Sequence, residues 1–385
     1  MMMRRALLTA LPWILCTVGC SRGAEDPSSV LILVNDDTMP EPGTGRKGAS
    51  LYVGEYYAAK RGIPKSNILK LHIKLCCNDD LHDAGNSEIS WARFEEDIRQ
   101  PVMKFLARKG LRDEIHYIVP VYGVPFRMHG TKWKYQGQSV DSFLSSMNAM
   151  EDVFGLANPY RARAGQGQKR FRDWTNPDHW KMYIVARLDG PSAMIAAGLV
   201  DKALAAEPSL KKSDGIGYFD YRHLSCCAGQ PYFDADRTMI DAYTLAKENG
   251  YEAVLNDQTH TNGEMIHSAP RTLWAWGWYS GAKSWEDYQF VPGAVGAQLT
   301  SYSASSVRTF PAGAWVPLWL RAGITATWGA TGEPQATGYA MGDRLLYHFW
   351  NGFNFGESAY LSTPYLQHMM VFVGDPLYSP RIFQK

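Results

Sequence analysis

The sequence has no surplus of either charge: 39 Lys and Arg stand against 38 Asp and Glu, a formal net charge of +1 over 385 residues. Duplex binders concentrate basic residues to displace counterions from phosphates. Neither the total nor any local run does so here, so nucleic acid is excluded as a default partner. Cysteine is scarce, six in all, and Cys76-Cys77 and Cys226-Cys227 are adjacent pairs, without the spacing that lets two sulfurs reach one zinc ion. No repeat of fixed short period is present. What is present is globular: 45% hydrophobic and 20% charged residues leave no room for a disordered chain or a coiled coil. The load of 13 Trp, 21 Tyr and 15 Phe suits cores, pockets and interfaces. The length fits one large or two abutting domains.

Met1 to Arg5 is a short basic start, and Ala6 to Val18 is an apolar run too short for a comfortable bilayer span and followed by polar, proline-containing sequence. This pattern predicts an export signal over residues 1–20 and a tether over 21–29. The run ends Thr17-Val18-Gly19-Cys20, which resembles the bacterial lipobox with Thr17 in place of the usual Leu. A lipid on Cys20 would be the chain's membrane contact and would leave the rest soluble in the periplasm at the cell envelope. Ordinary cleavage near Ala24, giving a soluble periplasmic or secreted protein, and a retained anchor are the alternatives. In an oxidising compartment Cys76, Cys77, Cys226 and Cys227 allow three pairings, among which the sequence does not choose.

Strand and helix patterns alternate along the rest. Val30 to Val34 is an unbroken apolar run that suits a strand buried on both faces. A helix is predicted over Ala49 to Arg61, stopped by Gly62, and a strand over Ile68 to Leu75. Ser90 caps a second helix whose Phe94, Ile98, Val102, Phe105 and Leu106 share one face, ended by Gly110. Strands follow at Tyr117 to Val121 and Met182 to Ala186. The second half repeats the idiom, with helices at Ser192 to Ala206, Asp234 to Asn249 and Trp315 to Arg321. Its strands are predicted at Ile216 to Phe219, Tyr251 to Leu255, Leu273 to Trp278, Val295 to Tyr302 and Ile324 to Trp328. The expected fold is α/β, a mostly parallel sheet covered by helices, in two abutting subdomains at 30–190 and 191–385. Residues 129–178 break the rhythm: polar and rich in Gly, Arg and Asn, they read as a long excursion over the sheet's edge, with a short helix near Ser139 to Met150.

Ligands in such sheets sit beyond the carboxyl ends of strands. Asp36 and Asp37 follow the first strand, Tyr122 and Arg127 the third, Arg187 and Asp189 the fourth, and these are candidate crevice residues beside the plainer reading that they make turns and caps. Several catalytic patterns fail. Gly43 to Gly48 matches GxGxxG but starts too far beyond Val34, and Ala49 stands where a phosphate-loop lysine is needed. Gly277-Trp278-Tyr279-Ser280-Gly281 carries its Ser one place too late for a nucleophile elbow. His260, Glu264 and His267 are spaced for one helical face, yet Thr261-Asn262-Gly263 is a turn sequence, so no metal site is expected. No cofactor is implied.

Trp276-Gly277-Trp278, Leu299-Thr300-Ser301-Tyr302-Ser303, Leu320 to Ala326 and Gly374-Asp375-Pro376-Leu377 occur in that order. The order resembles the gingipain-type cysteine peptidases, relatives of caspases, which have a His-Gly after one strand, a Cys after the next, a helix-AGA-strand step and a terminal GDP. Together with Glu55 to Pro64 and the RLDGP and GDPLY segments, it is also similar to an uncharacterised bacterial family found alongside exosortase protein-sorting systems. The first resemblance implies a caspase-like architecture over about Leu273 to Pro380; the second covers nearly the whole mature chain. Carried over residue by residue, the general-base position falls near Trp278 and the nucleophile near Ser303. An indole nitrogen only donates, and a serine without a neighbouring base stays protonated, so the resemblance implies that the peptidase chemistry is lost.

Trp274, Trp276 and Trp278 alternate on one strand face, where they are core, or, at the strand's end, Trp278 with Tyr279 floors a pocket. With Asp375 and Ser303 these complete the expected crevice. The leading expectation is a non-catalytic binding or accessory protein with a peptide or protein ligand, tied to sorting at the envelope. The alternatives are a hydrolase using Ser303 with a His supplied from elsewhere, such as His129, His179 or His260, and a structural envelope lipoprotein.

Overall fold

The computed structural model describes residues 25–36, 48–74, 87–130, 135–149, 154–163, 167–222, 227–256, 266, 268–278 and 287–384. The N-terminal half holds strands β1 (Val30–Asn35), β2 (Ile68–Leu71), β3 (Glu88–Ser90), β4 (Tyr117–Pro120), β5 (Arg127–His129), β6 (Leu156–Ala157) and β7 (Ile184–Val185). Its helices are α1 (Ala49–Arg61), α2 (Trp91–Arg93), α3 (Gln100–Lys109) and α4 (Val140–Ser145), with a π-helical stretch, Phe94–Arg99, joining α2 to α3. The C-terminal half follows as α5 (Ala193–Ser209), β8 (Ile216–Asp220), α6 (Pro231–Glu248), β9 (Glu252–Asn256), β10 (Ala269–Trp278), β11 (Tyr288–Leu299), α7 (Val316–Ala322) and β12 (Ala326–Ala330). It closes with α8 (Gln335–Gly338), α9 (Gly342–Trp350), α10 (Phe355–Ser362), β13 (Tyr365–Leu366) and β14 (Met370–Val373).

Two main sheets result among the described residues, in the orders β2-β1-β4-β7 and β14-β12-β11-β10-β8-β9, beside the two-stranded pairs β13-β6 and β3-β5. All pairings within the two main sheets are parallel except β12 with β14, so the expected α/β class is present. The sheets meet edge to edge, because the Arg187 amide donates to the Phe372 carbonyl and the Gly374 amide to the Arg187 carbonyl, both at 2.9 Å. Every residue of β1 is buried, as a two-sided strand requires. Gly54 lies where α1 crosses that strand, and a methyl group there would run into Val34. Gly62 and Gly110 end their helices in the left-handed conformation, and the Ser90 and Ser192 hydroxyls accept from amides of the first turns.

Some expected boundaries move. The strand expected over Val295 to Tyr302 spans Tyr288–Leu299, since Tyr302 takes φ 57 in a turn. The strand expected over Ile324 to Trp328 is Ala326–Ala330, and the one over Ile68 to Leu75 ends at Leu71. The excursion is not confined to the sheet's edge. The Asn158 side chain donates to the carbonyls of Tyr360 and Thr363, β6 pairs with β13, and Glu357 of α10 holds Arg170 and the Phe171 amide. The segment thus fastens the two halves together. Glu25, in the middle of the expected tether, is also held, its carboxylate 3.4 Å from Arg172. Among the described residues no helix is long and apolar enough to cross a membrane.

Candidate functional site

The alternation of β10 puts Trp274, Trp276 and Trp278 in the core, and Trp276 stacks on Trp328 with ring centroids 5.9 Å apart. Trp278 is the last residue of the strand and only 2% exposed, yet it borders a cleft of about 320 Å³. The cleft opens at the carboxyl ends of β8, β10, β11 and β12, where a parallel sheet leaves its crevice. The Trp278 Nε1–H donates to Asp236 at 2.6 Å, and the Arg222 amide donates to the same carboxylate oxygen at 2.6 Å. These bonds fix the indole as a floor. Tyr232, 60% exposed in the first turn of α6, lies nearly parallel to it at 5.9 Å, and the Arg222 guanidinium sits 5.5 Å from its ring centre. Leu299, Thr300 and Ser301 form one wall, and Glu333, Gln335 and Tyr339 the other. The Thr300 hydroxyl oxygen is buried there without a hydrogen-bond partner. An aromatic floor with charged and amide groups at its rim holds an apolar group and reads the polar atoms around it.

Ser303 lies behind this cleft, 0% exposed. Its Oγ accepts from the Ala330 amide at 2.9 Å and lies 3.2 Å from the Tyr339 hydroxyl. Tyr339 gives its own proton to the Gln298 carbonyl at 3.0 Å, so the proton between the two hydroxyls comes from Ser303. Burial holds the Tyr339 phenol well above its ordinary range, and it is no base at neutral pH. The sequence has no histidine between residues 268 and 347 and no cysteine beyond Cys227. His129 and His179 are exposed and do not line the cleft, and His260 lies outside the described residues.

The other expected crevice residues are placed elsewhere. Arg187 and Asp189 belong to a fully buried ionic cluster rather than to an opening. Arg187 grips Asp141 at 2.6 and 2.9 Å and Asp189 at 2.8 Å, while Arg308 holds Asp189 at 2.8 and 3.0 Å. Burial works against the Asp189 charge, but the two guanidinium groups, Arg308 foremost, prevail and keep the carboxyl below its ordinary range. Tyr122 is buried beneath Arg308, its ring centre 5.4 Å from that guanidinium. Asp375 is buried too, accepting from Arg61 Nε at 2.6 Å, the Tyr57 hydroxyl at 2.8 Å and the Leu377 amide at 3.0 Å. Asp36 pairs with Lys70 at 3.3 Å and Arg127 with Glu88 at 2.5 Å, and neither lines the cleft. Asp37, Tyr279, Cys20, Cys76, Cys77 and Cys226 lie outside the described residues, and Cys227 is disulfide-bonded. Arg222, Tyr232, Thr300, Ser301 and Glu333 are among the cleft residues that the sequence did not single out. The available signal was the one applied to the other strands: Arg222 comes two residues after β8, and Tyr232 follows the Pro231 that opens α6.

No protein-family model matches the sequence, and no curated protein aligns with it. Among solved structures, the chain is similar to the Arg-specific cysteine proteinase gingipain R, with a TM-score of 0.49 and 11% identity over 94% of this chain and 80% of that one. It is similar as well to the complex of Porphyromonas gingivalis RgpB pro- and mature domains, with a TM-score of 0.49 and 10% identity over 90% of this chain and 79% of that one.

Proposed function

We propose that this chain is a binding protein that does not turn its ligand over, and that it holds a peptide-like ligand in the cleft between Trp278, Tyr232, Thr300 and Glu333. The state of Ser303 carries the reading. Its hydroxyl is sealed from solvent, its proton is committed to Tyr339, and one of its lone pairs is committed to the Ala330 amide. Among the described residues, a serine in that state has neither access to a substrate nor a base to activate it. The cleft beside it keeps an aromatic platform, a cation, a carboxylate and an orphaned hydroxyl, which suits the side chain and backbone polar atoms of an extended peptide. On this reading Trp278 and Ser303 stand where a gingipain-type peptidase carries its base and nucleophile.

The finer parts of the proposal are export, a lipid on Cys20 and service to a protein-sorting system at the envelope. Metabolic labelling with palmitate, in wild type and Cys20→Ala, tests the anchor. A peptide-array screen followed by titration calorimetry tests the binding function. Tyr232→Ala should weaken the selected peptide about 10-fold without shifting the unfolding midpoint, since the ring it removes is mostly exposed. Fluorophosphonate labelling of wild type that Ser303→Ala abolishes would overturn the reading.

A further inference from the structure

A second cleft, of about 850 Å³, lies between residues 161–163 and 167–168, α6 and α9, away from the site above. Arg161, Arg163 and Arg344 line it, and none of the three has a carboxylate or hydrogen-bond partner for its guanidinium among the described residues. By contrast, Arg61, Arg93, Arg99, Arg127, Arg170 and Arg187 each lie 2.5–2.9 Å from a carboxylate. Burial first, then the charges of Arg344 and Arg163, hold the Arg161 guanidinium below its ordinary range, the mark of cations gathered without a counterion.

One acid shares the wall, Asp343, and burial pushes its carboxyl up to about 6 against the pull of the neighbouring Arg344. One of its oxygens is buried with no hydrogen-bond partner, and among the described residues no guanidinium forms an ion pair with it. Tyr347, 48% exposed, and Phe353 supply aromatic surface in the same cleft. Guanidinium forks match the oxygens of phosphate and sulfate in a way that point charges do not, and several forks around one cavity call for a multiply charged oxyanion.

We propose that this cleft binds a phosphate or sulfate ester, with the oxyanion on Arg161, Arg163 and Arg344 and the body of the molecule against Tyr347 and Phe353. Titration calorimetry of the full chain with glucose 6-phosphate, glucose 6-sulfate and glucose at low ionic strength tests it. At least one ester should bind, glucose should not, and the preferred ester identifies the head group. Arg161→Ala combined with Arg344→Ala should weaken that ester at least about 30-fold, while the paired substitutions Arg161→Lys and Arg344→Lys, which keep the charge and lose the forks, should weaken it several-fold. Binding by neither ester, equal binding by glucose, or wild-type affinity in the lysine variant would overturn the proposal. The lysine pair serves as the decisive variant if the alanine pair unfolds.

Discussion

Arg61, at the end of α1, reaches across the molecule to Asp375 and places its Nε 2.6 Å from the carboxylate, while its two terminal nitrogens bind Glu207 of α5 at 2.7 and 2.8 Å. Asp375 is buried and accepts from Tyr57 as well, so three segments distant in sequence share one charge network. The terminal GDP segment is thereby a clamp on the N-terminal half. Asp375→Ala leaves the Arg61 charge and the Tyr57 hydroxyl with a missing partner, and should cost about 3–5 kcal/mol in urea unfolding. A loss below about 1 kcal/mol would mean that the clamp does not hold the halves together.

Gly54 offers a prediction in which two effects have opposite signs. In the interior of a helix Ala outranks Gly by about 1 kcal/mol, so propensity alone makes Gly54→Ala stabilising. The added methyl would meet the Val34 side chain, however, and β1 is buried on both faces and has nowhere to retreat. Overpacking costs about 1–3 kcal/mol, and the net change should be destabilising by about 1–2 kcal/mol. A raised melting temperature would show that α1 rides further from β1.

Glu25 makes stability fall as pH rises. Burial first, and the neighbouring Glu357 charge second, push its carboxyl up to about 7, against the pull of Arg172 and Arg170. The folded state therefore holds this proton more tightly than the unfolded chain. The contribution is complete below the ordinary glutamate value and is lost as pH climbs towards 7. Unfolding free energy should drop by on the order of 3 kcal/mol between pH 4.5 and 7.5, and Glu25→Gln should flatten that slope. The same slope in the variant would exclude Glu25 as its source.

Local chemistry made much of the fold legible in advance. Gly62, Gly110, Ser90 and Ser192 act at helix ends by backbone geometry and short-range hydrogen bonds, which a sequence carries in full. The last elements were not read, because α10 is buried on every side and shows no amphipathic period, and β14 is a short run of a type that helices also use. The candidate site divides in the same way. Trp278 was found because strand alternation and the carboxyl-end rule are both local. Arg187 and Asp189 obeyed that rule too, but β7 faces the seam between two sheets, and Arg308, 119 residues beyond Asp189, closes the space that would have been a crevice. No pattern around Asp189 announces a partner so distant.

Ser303 offers the sharpest separation of a structural role from a chemical one. Its hydroxyl joins the Ala330 amide to the Tyr339 hydroxyl, and Tyr339 passes the chain of bonds on to the Gln298 carbonyl of β11. Ser303→Ala leaves a buried amide and a buried phenol oxygen each short of a partner, which should cost about 1–3 kcal/mol in unfolding free energy. Ser303→Cys keeps a weak donor and acceptor at the same place, though the larger sulfur would crowd the space over Gly329, where even an added methyl group would meet the Ser303 hydroxyl. If Ser303 is structural, both variants lose stability while peptide affinity in the cleft stays within about 2-fold of wild type, because no atom of Ser303 lines it. A serine acting on a ligand would give the opposite pair of results in Ser303→Ala: a folded state as stable as wild type, and a turnover reaction that disappears.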